Sequence, residues 1–131
     1  MSKRINISSG AHWEEIVGYS RAVRVGNIIE VAGTAAADGE KVMFPYQGYE
    51  QTQYILMKIQ QAIEDAGGSM EDVVRTRIFV TDIDNWEEVG KAHGEIFKDI
   101  KPVTTMVEVI ALINPEMVVE IEATAIIVLK E

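Results

Sequence analysis

Val118-Val119-Glu120-Ile121-Glu122-Ala123-Thr124-Ala125-Ile126-Ile127-Val128-Leu129 is the stretch that decides the fold. Successive side chains of a strand point to opposite faces, so Val119, Ile121, Ala123, Ala125, Ile127 and Leu129 make one wholly apolar face. The opposite face begins with Glu120, Glu122 and Thr124. A strand of this kind belongs to a sheet covered by helices on its apolar side.

Two upstream segments supply those helices. Between about Gly48 and Ala66, Tyr49, Thr52, Leu56, Ile59 and Ile63 recur at three- and four-residue spacing, and Gly67-Gly68 suits a left-handed C-terminal cap. Further on, Trp86, Val89, His93, Ile96 and Phe97 form a second inward stripe. Asp84 and Glu87 read as its capping box, and Pro102 closes the unit.

The remaining strands are marked by alternation and turn residues. Residues 19–37 read as two strands around a tight turn at Gly26-Asn27. In residues 73–81, Val74, Thr76, Ile78 and Val80 share one face and Arg75, Arg77 and Phe79 the other. Residues 103–112 form another strand, joined to the last by a loop containing Asn114-Pro115; Thr104, Met106 and Glu108 alternate against Val107 and Val109. The expectation is an α+β fold with a mixed sheet, in one domain spanning residues 1–131. Met106, Phe79 and Ile126, placed on the uncovered face, predict that another subunit covers it.

Composition narrows the functional classes. At 131 residues, 47% hydrophobic and 25% charged, the chain has the balance of a globular domain. Its net charge of −9, without a dense Lys/Arg run, disfavours a nucleic-acid partner. Cysteine is absent, which removes thiolate chemistry and sulfur ligands, and the two histidines, His12 and His93, have no metal-ligand spacing. No metal or other cofactor is expected. The start Met1-Ser2-Lys3-Arg4 has no apolar signal core after it, and no apolar run approaches about 20 residues, so the expected compartment is the cytoplasm, away from membranes.

No serine lies in a nucleophile-elbow pattern; Ser69 with Asp72 reads as a capping pair. Gly67-Gly68 follows a helix, the wrong order for a phosphate cradle. Glu120 and Glu122 share a strand face, where they can position water or exchange protons if their surroundings raise a carboxylate pKa. The competing reading pairs them with cations, and Arg75 and Arg77 alternate in the same way.

Several segments in order resemble the RidA/YjgF family of small trimeric proteins, often labelled L-PSP endoribonuclease or translation-inhibitor homologues. They are Gly18-Tyr19, Gly26-Asn27, Ala32-Gly33, the run from Gln51-Thr52 to Ala66-Gly67, and Glu71-Asp72-Val73-Val74. Phe79-Val80-Thr81-Asp82, Pro102, Val107-Glu108-Val109 and Val119-Glu120-Ile121-Glu122-Ala123 continue the series, which covers most of the chain. The resemblance implies a chorismate-mutase-like fold: a six-stranded sheet backed by two helices, three subunits pressing their sheets into a central barrel, and ligand clefts between subunits. There, deaminating members hold the carboxylate of an enamine or imine such as 2-aminoacrylate while water releases ammonia.

Within that frame Tyr19 would line the cleft, Gly33 would let backbone approach the ligand, and Glu120 would orient a water or polar group as the catalytic residue. Deaminating members carry an arginine two residues after the proline, but this chain reads Pro102-Val103-Thr104, with Met106 where many members have cysteine and Gly90 where asparagine is frequent. Replacing a bidentate guanidinium with one neutral hydroxyl costs about 1 to 3 kcal/mol of carboxylate binding. The chain is therefore identified with an arginine-lacking branch, and the usual 2-aminoacrylate deamination is not expected of it. Arg21 shares the strand face of Tyr19 and has the reach to enter the cleft as an alternative cation; a rim ion pair is its competing role. Trp13 either roofs the pocket or pins the N-terminal segment. Three functions remain open: a trimeric small-molecule binder or C–N hydrolase, a non-catalytic or chaperone-like module, and an RNA-cleaving or translation-inhibiting protein.

Overall fold

The C-terminal stretch forms β8 (Val119–Ile126), which lies inside a mixed sheet. The computed structural model describes residues 3–129. The other strands of that sheet are β1 (Arg4–Ile7), β2 (Ala22–Val25), β3 (Ile28–Ala35), β6 (Val73–Val80) and β7 (Val103–Glu108). Their order is β1-β2-β3-β8-β6-β7, and every pairing is antiparallel except that of β6 with β7. β4 (Ala37–Asp38) and β5 (Lys41–Val42) make a separate small hairpin. Two helices, α2 (Gly48–Asp65) and α3 (Trp86–Phe97), pack together, with α2 lying on β3 and β8. A third, short helix, α1 (His12–Val17), precedes β2 and was not anticipated from the sequence.

Alternation explains the core. Val119, Ile121, Ala123 and Ala125 of β8 meet Ile55, Leu56, Ile59 and Ile63 of α2, all of them buried. Each large aliphatic side chain removed from water in this way contributes about 1.5 to 3 kcal/mol before the entropy of ordering is counted. Helix α2 ends as its glycines suggest: Gly67 takes φ +94, its N–H donates to the Glu64 carbonyl, and the Gly68 N–H donates to that of Ile63. Arg24 Nη1 adds a 2.8 Å bond to the Ala66 carbonyl, where a cation also suits the helix dipole. Ser69 and Asp72 do form a capping box, on a short 3₁₀ turn.

Several local expectations are corrected. An extra residue in β6 between Val73 and Arg75 puts Val73 inside and leaves Val74 exposed. The inward face of α3 is Val89, Ala92, half-buried His93 and Phe97, while Trp86 and Ile96 are exposed. No Asp84/Glu87 box forms; Asp82 accepts from the Asp84 N–H in a 3₁₀ turn before α3. β7 stops at Glu108, four residues before the expected Leu112, and Leu129 at the far end is exposed. The parallel register Thr76↔Thr104 and Ile78↔Met106 turns Thr104 and Met106 toward the helix side, away from the second face where Met106 was expected. Met106 packs, half-buried, against the core.

One buried polar side chain ties the loops to this core. Gln51, fully buried in the first turn of α2, donates through Nε2 to the carbonyls of Phe44 and Glu116 at 3.0 and 2.9 Å. Its Oε1 accepts from the Val118 N–H at 3.0 Å. The segment before α2 and the β7–β8 connection are thereby joined.

Candidate active site

The site begins with α1. Its left-handed terminal residue, Gly18 at φ +86, reverses the chain, and the N–H groups of Gly18 and Tyr19 both return to the Glu14 carbonyl at 2.9 Å. The Glu14 side chain is buried and accepts hydrogen bonds from Ser8 Oγ, Ser9 Oγ and the Ser9 N–H. Burial would raise its pKa, but those bonds and the charge of Arg21 outweigh it and hold the carboxyl below its usual value.

Tyr19 and Arg21 follow at once. Arg21 is only 7% exposed, which excludes the rim ion pair. Its Nη1 donates to Thr34 Oγ1 at 2.8 Å and to the Gly33 carbonyl at 3.0 Å, and its guanidinium carbon lies 5.7 Å from the centre of the Tyr19 ring. Nε is buried without a hydrogen-bond partner.

Gly33 sits in a bulge of β3, where Ala32 and Gly33 together face the single residue Glu122 of β8. The bulge turns the Gly33 carbonyl to Arg21 and brings the Glu120 carboxylate against the glycine. Burial pushes the Glu120 pKa up, the Arg21 charge pulls the other way, and nearby Glu122 adds to the rise. Glu122 itself pairs with Arg77 at 3.0 Å, which matches the cation-pairing reading for that residue.

Tyr19, Arg21, Gly33 and Glu120 therefore line one cleft of about 680 Å³. Trp13 lines it too, 40% exposed, and so does Lys58 from α2. Lys58 was missed; its only sequence signal is a cation beside the buried stripe of α2. It donates to the Ala37 carbonyl at 3.0 Å, and burial followed by the Arg21 charge lowers its pKa. The arrangement can hold a polar molecule between cationic groups and a carboxyl that retains its proton more readily than usual.

Thr104 and Met106 are not brought to this cleft within the chain. They lie on β7, two strands from β8, at the opposite edge of the sheet from β1. Thr104 Oγ1 lies 2.8 Å from Thr76 Oγ1, which is 2.9 Å from His93 Nε2. Among the described residues no three His, Asp or Glu side chains are grouped to hold a metal ion. No helix there is long and apolar enough to cross a membrane.

Comparison with known proteins agrees with this architecture. An uncharacterized protein of Streptomyces coelicolor is 36% identical over 119 residues, 91% of this chain and 89% of its own length. A RutC family protein of Pyrococcus abyssi is 34% identical over 110 residues, 82% of this chain and 84% of its own. The crystal structure of a YjgF/YER057c/UK114 family member from Mycobacterium tuberculosis superposes with a TM-score of 0.88 at 48% identity, covering 95% of this chain and all of that one. Residues 10–127 match the family described as Endoribonuclease L-PSP, and with these relatives that places the chain in the RidA/YjgF family.

Proposed function

We propose that the chain is a small-molecule-binding protein of this family, working as a homotrimer whose cleft is completed by the β7 edge of a neighbouring copy carrying Thr104. The observation that carries the reading is the convergence of Tyr19, buried Arg21, Gly33 and a proton-retaining Glu120 on one cleft. Arg21 supplies an internal cation where the resemblance lacks its arginine, although much of its hydrogen-bonding capacity is already spent on Gly33 and Thr34.

The chemistry this supports is hydrolysis at a C–N bond of an imine-, enamine- or amide-like metabolite. Glu120 in its protonated form donates to the nitrogen while water adds to the carbon, and the resulting carboxylate takes a proton back as ammonia or amine leaves. The usual 2-aminoacrylate deamination is disfavoured because Thr104 offers one neutral bond where a guanidinium would offer two charged ones. RNA cleavage is disfavoured by the net charge of −9.

The test is ammonia release from purified protein incubated with enzymatically generated 2-aminoacrylate and with a panel of cyclic and acyclic imines, comparing wild type with Glu120→Gln. Turnover of another imine that exceeds 2-aminoacrylate and falls in the variant supports the reading. No binding or turnover of any compound removes the enzymatic version, and a stable monomer by light scattering removes the shared cleft.

A further inference from the structure

Thr76 is fully buried in β6, and its hydroxyl has two partners 2.8 and 2.9 Å away: Thr104 Oγ1 on β7 and His93 Nε2 on α3. Three elements thus contribute one hydroxyl–hydroxyl–imidazole chain that runs from the core to an exposed side chain on the edge strand. A hydroxyl owns one proton, so Thr76 can donate to only one of these neighbours and must accept from the other. The chain therefore has a direction.

With Nε2 unprotonated, Thr76 donates to His93, Thr104 donates to Thr76, and the outward side of Thr104 only accepts. With Nε2 protonated, each bond reverses and the Thr104 hydroxyl points its hydrogen outward. We propose that His93, acting through Thr76, sets the hydrogen-bond direction of Thr104 and makes it a proton-relaying contact for an uncharged imine or amide group. This rests on the reading that Thr104 faces a bound molecule; the residues themselves meet within one chain. Thr104 is the contacting group, and Thr76 and His93 are positioning residues.

The surroundings of His93 suit an uncharged ligand group. Its ring lies 4.5 Å from that of Phe97, Thr76 faces it from β6, and among the described residues no carboxylate or cation forms an ion pair with it. Burial alone moves its pKa below the ordinary histidine value, so the neutral imidazole dominates at neutral pH. A neutral chain gives a carboxylate no charge to pair with, but it can exchange a proton. From imidazolium, the Nε2 proton moves to Thr76, the Thr76 proton to Thr104 and the Thr104 proton to the ligand's nitrogen or carbonyl oxygen, leaving neutral imidazole with its proton on Nδ1 inside and the protonated ligand group outside. The reverse sequence returns that proton from the cationic group to Nε2.

The experiment reads the far end of the chain without needing a substrate. His93 is followed by long-range nitrogen–proton NMR across pH in wild type, Thr104→Val and Thr104→Ser. Thr104→Val leaves the Thr76 hydroxyl without an acceptor when His93 is charged, which penalises imidazolium, so the midpoint should move to lower pH; Thr104→Ser should keep it. An unchanged midpoint in Thr104→Val overturns the relay, since Thr104 does not itself bond the imidazole. Acetamide and acetate, matched in shape, test the ligand class by chemical-shift perturbation at Thr104. Perturbation by acetamide supports it; perturbation by acetate alone, or by neither, overturns it. A wild type that turns over no imine while the His93 coupling persists would sink the hydrolytic reading instead.

Discussion

The carboxylate of Glu120 occupies the space that a side chain at Gly33 would need: a Cβ there would lie 2.7 Å from Glu120 Oε2 and 3.2 Å from the carboxyl carbon. The glycine is thus a condition for the position of the candidate acid, fixed by approach across two strands.

Gly33→Ala should fold, because the obstructing atoms are the free end of a flexible side chain and alanine loses less entropy on folding than glycine. A stability change within about 1 kcal/mol of wild type is expected in urea denaturation. Glu120 would be displaced, and the variant should lose most imine turnover while keeping its unfolding midpoint.

Glu120 also predicts a pH dependence of stability. Its folded pKa lies above its unfolded value, so the folded state holds this proton more tightly. The associated stability is present at low pH and is lost as pH rises through the folded pKa. Glu120→Gln removes that loss, so its stability relative to wild type should increase as pH rises above the ordinary carboxyl value of 4.5, measured by denaturant midpoints across a pH series. Glu14 has the opposite sign: its lowered pKa stabilises the fold above the unfolded value, and that contribution fades as pH falls.

Arg21→Met should be strongly destabilising, although it removes no ion pair closer than 4 Å among the described residues. It leaves the Gly33 carbonyl and Thr34 hydroxyl without their charged donor, a loss on the order of 2 to 3 kcal/mol. Chemical denaturation measures it, and Arg21→Lys should recover only part because one ammonium cannot reproduce the guanidinium fork.

Gln51→Leu keeps the volume near that of glutamine but strands the Val118 N–H and takes one of two donors from the Phe44 and Glu116 carbonyls, which keep the Gln47 and Tyr46 N–H groups. A cost of about 1 to 3 kcal/mol is expected in the same assay, from the desolvation of the unpaired Val118 N–H. Amide exchange at Val118 should accelerate more than that of the α2 interior.

The layers were legible in the sequence because they depend on periodicity: β8 buries the residues that alternation assigns as far as Ala125, and the α2 stripe buries Thr52, Leu56, Ile59 and Ile63, although Tyr49 at its start is only half-buried. What periodicity could not show is where it is interrupted. The extra residue at Val74 exchanges inside for outside, and the β3 bulge at Gly33 is invisible until β8 is laid beside it. Thr104 followed the same logic, since its face is set by its register on β6. Tyr19, Arg21, Gly33 and Glu120 were readable as candidates, but Lys58 and the meeting of Thr76 with His93 depend on distances between elements far apart in the chain.

Gln51 has a bearing on how molecules would be chosen. The two segments it fastens continue into Val42 on one side and Asn114 and Met117 on the other, all of which border the cleft. Opening that border means breaking hydrogen bonds of a fully buried side chain. On the proposed reading, a molecule would meet on that side of the cleft a rim held by the core, and would be chosen there by its fit.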